Sequence, residues 1–174
     1  MKVTVFLVVV MMMCLVAVPA MAKDASNGLS ASVGILSSTE GSDLSMGQSL
    51  SLSYDLPTQI KACRLQAAVS FIRFSGDVEG VSMSEKLTPI TIRGIKDFET
   101  RNASLRPYAG IGLGIMQMSV SASDGDESES LSNTTYCYEL IAGANFGKAT
   151  FAELKVLGSP DSDVGIGLNI GYRF

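Results

Sequence analysis

The residues from Val164 to Phe174 constrain this chain more than any other stretch. Val164, Ile166, Leu168, Ile170, Tyr172 and Phe174 are large and apolar, and the residues between them are glycine, asparagine or arginine. Strand side chains alternate between two faces, so the spacing predicts a strand with one greasy face and one small or polar face. Such a strand suits lipid on one side and a narrow polar lumen on the other. A strand of a soluble sandwich also alternates, but rarely stops on an aromatic carboxy-terminus.

The amino-terminus predicts export. Lys2 precedes an apolar run from Val3 to Val18, then Pro19 and the small-x-small sequence Ala20-Met21-Ala22. That is the layout of a cleaved signal peptide over 1–22. The run is short for a spanning helix, which needs about 20 residues. Cys14 lacks the small residue that a lipoprotein cleavage site places before its cysteine. Cleavage leaves 23–174 as one domain with a net charge of about −5. An acidic chain without histidine or basic clusters argues against nucleic acid as a partner. Mean hydropathy is +0.30, yet past the leader no apolar run is long enough for a spanning helix. Apolar residues spread by alternation are the signature of a transmembrane barrel.

Read with period two, the mature chain gives eight segments, near 28–36, 48–56, 64–74, 90–96, 105–118, 136–146, 150–157 and 164–174. The fourth is blurred: Ile90 and Ile92 oppose Thr91 and Arg93, but Gly94, Ile95 and Lys96 break the pattern. In the fifth, the apolar parity swaps at Met116, Met118 and Val120, which predicts a bulge. Long connections are expected at Ser37–Gly47, Ser75–Lys86 and Ser121–Thr135, and a moderate one at Gly158–Asp163. Short ones fall between them, as in a closed antiparallel up-and-down β-barrel whose short turns face the periplasm. Pro57, Pro89, Pro107 and Pro160 are expected at strand ends or in loops, where a missing donor is tolerated.

The segment Arg106-Pro107-Tyr108-Ala109-Gly110-Ile111-Gly112-Leu113-Gly114 resembles the fifth-strand motif of the OmpA-like and OmpW-like small outer-membrane barrels. The ending Gly171-Tyr172-Arg173-Phe174 resembles that of the OmpX/Ail group. The resemblance covers the second half of the mature chain. It implies a stand-alone eight-stranded barrel in the bacterial outer membrane, with Tyr172 and Phe174 read by the barrel-assembly machinery. It does not choose among barrels of different function.

Arg64, Arg93, Glu139, Glu153, Lys155 and Arg173 fall on the inward face. They could line a polar pathway, or fill the lumen as a structural ion-pair network. A barrel of about eight strands has room for little beyond its own side chains, and buried charges must be paired. The network is therefore favoured, with Lys155 and Arg173 expected to neutralise Glu139 and Glu153. Arg73 shares parity with lipid-facing Phe71, and either reaches lipopolysaccharide phosphates or marks the water boundary. The acidic run Asp124, Asp126, Glu127 and Glu129 lacks the remaining spacing of a calcium loop and reads as a solvated surface loop. No metal, cofactor or catalytic residue is expected. Cys63 and Cys137 are placed near opposite rims, too far apart for a disulfide.

Without histidine, a hydrolase or acyltransferase that needs an imidazole base is excluded. The sequence therefore points to a non-enzymatic envelope-structural or surface-interaction (adhesion-type) protein. Its expected surroundings are outer-membrane lipid and lipopolysaccharide, with an unidentified surface ligand. The OmpW-like resemblance implies an alternative, a porin-like narrow channel for small or hydrophobic solutes.

Overall fold

The computed structural model describes residues 28–38, 46–57, 63–78, 81–100, 104–124, 127–160 and 162–174. The leader expected over 1–22 lies outside them, as does most of the connection expected at Ser37–Gly47. The described chain forms β1 (Leu29–Ser38), β2 (Met46–Leu56), β3 (Arg64–Val78), β4 (Val81–Asp97), β5 (Leu105–Asp124), β6 (Glu127–Phe146), β7 (Thr150–Ser159) and β8 (Ser162–Arg173). Each strand pairs antiparallel with the next, and β8 returns to β1, closing an all-β barrel. The terminal alternation described above is β8, and the Phe174 amide still donates to the Leu29 carbonyl.

Register sets the barrel's dimensions. Gly110 pairs with Ile141, Ile141 with Lys155, Lys155 with Gly167, and Gly167 with Leu36. Leu36 pairs with Gly47, Gly47 with Phe74, Phe74 with Glu85, and Glu85 with Val120. One circuit thus returns to β5 displaced from Gly110 to Val120. For eight strands, that stagger corresponds to a tilt of about 40° and a backbone cylinder about 16 Å across. Outside, Leu50, Leu52, Phe71, Ile90, Ile92, Ile111, Leu113, Leu140, Leu154 and Ile170 are exposed and form an apolar belt.

Four expectations are corrected. Pro89 lies in the middle of β4 and not at a strand end or in a loop. Most of Ser75–Lys86 and Ser121–Thr135 is strand, since β3 runs to Val78, β4 starts at Val81, β5 runs to Asp124 and β6 starts at Glu127. Above the lipid neither face has to be apolar, so the ladder continues while the apolar period disappears. No bulge occurs at Met116–Val120, because β5 keeps a constant register with β4 from Tyr108 to Ser123 and with β6 from Leu105 to Asp124. The register irregularity lies between Leu157 and Ser159 instead. β4 also keeps its parity: Ile95 is a buried inward residue.

Candidate functional site

The centre of the lumen is built around Glu139, which β6 directs inward between outward-facing Tyr138 and Leu140. Arg93 of β4 donates to it through two atoms, Nε to Oε2 at 2.6 Å and Nη2 to Oε1 at 3.1 Å. Thr91 Oγ1 donates to Oε2 at 2.8 Å, and Lys155 Nζ lies 3.6 Å from Oε1. Glu153 lies 3.8 Å from Arg93 and accepts from the Tyr108 hydroxyl at 3.1 Å. Lys155 also donates to Ser70 at 3.1 Å, and Ser70 bonds Ser51 at 2.8 Å. Two cations and two carboxylates thus neutralise each other in a space nearly closed to water; Lys155 and Glu139 are each 1% exposed. Inward glycine makes the necessary room, as at Gly143, where the Tyr108 ring occupies the place of a side chain.

A second ionic group closes the periplasmic end. Arg64 donates to Asp55 at 2.8 Å and to Asp97 at 3.4 Å, and Gln66 also donates to Asp55, at 2.9 Å. Arg173 belongs here, not with the central carboxylates as expected. Its Nη2 donates to Asn145 Oδ1 at 3.3 Å. Register explains the difference: Glu153 lies opposite Asn169 on β8, four residues further up the strand than Arg173. Ile95, Tyr108, Ile141 and Phe151 pack as an apolar cluster at this level. Between the two ionic groups remains a cavity of about 10 Å³, room for about one water.

The outer part of the lumen is apolar, which corrects the expectation of a wholly polar filling. Leu36, Ile72, Phe74, Leu87, Met116, Cys137 and Leu157 form one buried cluster, with Met118 against it. Met116 looked like a parity change because it is an inward residue that is apolar. Cys137 in this cluster and Cys63, just before β3, are both free thiols. With the lumen filled at three levels, the purified protein is expected to give no steady conductance in planar bilayers. A persistent open level would contradict this packing.

Above the belt, β3 to β6 continue as a four-stranded sheet. β6 pairs with β5 as far as Glu127, but with β7 only from Tyr138 onward. From the level of Ile115 and Tyr136 to the hairpin end is about 20 Å at the strand rise and tilt. Across this sheet run Ser75, Ser84, Ser121 and Ser130, each paired to the next. Leu131 stands out at 79% exposed. The polar residues that sequence reasoning did not single out, Asp55, Gln66, Thr91, Tyr108 and Asn169, share inward parity with those it did.

No protein-family model matches the chain, and no curated protein is similar to it in sequence. Solved structures do match. The N-terminal β-barrel domain of Pseudomonas aeruginosa OprF aligns with a TM-score of 0.55 and 18% identity, covering 83% of this chain and 97% of that one. The fold is that of the small outer-membrane β-barrels. Ail, the attachment invasion locus protein of Yersinia pestis, aligns with a TM-score of 0.55 and 22% identity over 85% of this chain and 99% of its own. Ail has also been solved with the heparin analogue sucrose octasulfate. The outer-membrane enzyme PagL shares the barrel at a TM-score of 0.51 and 15% identity, covering 82% and 97%. The apolar belt and this fold place the chain in the bacterial outer membrane.

Proposed function

We propose that this barrel is a non-enzymatic surface-interaction protein: a filled cylinder anchors the β3–β6 sheet, and that sheet meets a ligand outside the cell. The observation that carries the reading is the continuation of these strands above the belt while the lumen is packed. A rigid scaffold that presents its outer elements is where binding usually resides. The likeness to Ail, named for attachment and invasion, supports the same class. The chain's charge narrows the ligand. Glu40, Asp43, Glu79, Asp126 and Asp161 lie in the segments expected to be outer connections, where Lys86 is the single base. A neutral or cationic partner surface fits that field better than a polysulfate.

PagL demonstrates that such a barrel can carry an active site, but this chain offers no imidazole. Its Lys155–Ser70 pair is buried in mid-lumen, and the lysine faces Glu139, which suits a donor and not a base. Tyr172 and Phe174, packed edge-to-face with ring centroids 5.4 Å apart, are included in the proposal as the assembly signal.

The test replaces Ser121–Ser130 with a two-residue Asn-Gly turn, which suits a hairpin. Cells displaying the intact protein are expected to adhere to epithelial monolayers, and cells displaying the shortened form to fall to the level of cells without it. Equal adhesion by the shortened form, or none by the intact protein, would sink the reading.

A further inference from the structure

The geometry points to a site for the phosphate groups of an anionic outer-leaflet lipid, on the outer wall of the barrel at Arg73 and Lys86. Both side chains are exposed on the exterior face, and the two residues are direct cross-strand partners between β3 and β4. Side chains so paired have Cβ atoms about 5 Å apart, and like charges in that position repel. Among the described residues, neither forms an ion pair. An anion between them would remove the repulsion, and a phosphate oxygen can accept from the guanidinium fork and the ammonium together.

Their level selects the anion's source. Phe71, one outward position below Arg73, and Ile90, two below Lys86, belong to the apolar belt. Arg73 and Lys86 therefore stand at its outer edge, where acyl chains give way to lipid headgroups. Gln48 pairs with Arg73 on its other side and Ser119 with Lys86; Ser75 and Ser84 come next above. These neighbours are neutral hydrogen-bonding groups, so no described outward-facing carboxylate next to the pair competes for the cations. The segments expected to be outer connections carry acids and no base but Lys86, which makes a basic pair here a local exception. The pair faces sideways from the barrel wall, on the opposite face from the lumen cavity, which fits a headgroup phosphate held in the membrane plane better than free phosphate.

The experiment uses the full chain refolded in neutral detergent, with diphosphorylated lipid A, chemically dephosphorylated lipid A and inorganic phosphate as separate probes. Lipid binding is read by native mass spectrometry and by the shift in thermal unfolding. The double variant Arg73→Gln/Lys86→Gln is expected to bind diphosphorylated lipid A at least about tenfold more weakly, from the loss of charge-assisted hydrogen bonds. The exchanged pair Arg73→Lys/Lys86→Arg should retain binding, and the single variants should fall between. If the double variant does not fold, the single variants decide alone. Undiminished affinity in the neutral variants would overturn the site, as would equal binding of the dephosphorylated lipid. Stabilisation by inorganic phosphate matching that of lipid A would overturn the lipid assignment. None of these outcomes depends on whether the projecting sheet mediates adhesion.

Discussion

Replacing Glu139 with glutamine is expected to cost the barrel about 3–5 kcal/mol of stability, the usual penalty for stranding a buried charge. The substitution keeps the shape of the side chain and removes only its charge. Arg93 then loses its two-point partner, and Lys155 loses the carboxylate 3.6 Å away. Glu153 remains, 3.8 Å from Arg93, and cannot balance both cations. Neutralising the whole group together, with Arg93→Met, Glu139→Leu, Glu153→Gln and Lys155→Met, should cost less than the single change. Apolar packing can replace a buried ionic group more cheaply than half of that group can survive alone. The chain has no tryptophan, so the measurement is a urea titration in lipid vesicles followed by far-ultraviolet circular dichroism. A Glu139→Gln barrel within about 1 kcal/mol of the parent would show that water reaches and screens the cluster.

The second large effect is expected at Gly114. Here a Cβ would fall on the Ile90 carbonyl oxygen and lie 2.8 Å from the Thr91 Cα, both atoms of the β4 backbone. Backbone in a closed ladder cannot step aside as a side chain can. Gly114→Ala is therefore expected to cost about 3 kcal/mol, the upper range for overpacking, and to leave much of the protein unfolded after refolding into detergent. Gly94→Ala serves as the control, since the nearest atom to its Cβ is Cys63 Sγ at 3.5 Å, an ordinary contact. The compact, fast-migrating band of unboiled protein on a gel separates the two. Equal recovery of both variants would mean that β4 and β5 lie less close at Gly114 than described.

The part of the fold touching lipid was legible because lipid imposes a rule: every second residue of a crossing strand must be apolar. All eight strands carry that mark, most plainly β6 and β8. The six inward charged residues were legible for the complementary reason, since a charge at inward parity has nowhere else to go. Where lipid is absent the rule lapses, and β3 to β6 extend past the reach of the apolar period. The remaining trace was serine at alternate positions, 119, 121 and 123, then 128, 130 and 132, which pair across the hairpin. Inward apolar residues misled in the opposite way. Ile95 and Met116 belong to clusters inside the lumen, but their character suggested a blur in one strand and a bulge in another. Arg173 meets a different partner from the one its sequence position suggests, because parity gives the face of a residue and not its height. Height follows only from register with β7, which a single sequence does not disclose.

The packed interior has a consequence for the bacterium that makes this protein. An envelope crowded with hollow cylinders becomes more permeable to small solutes with every copy added. A solid plug imposes no such ceiling, so the number of copies is not limited by leakage, and the barrier function of the envelope is left intact.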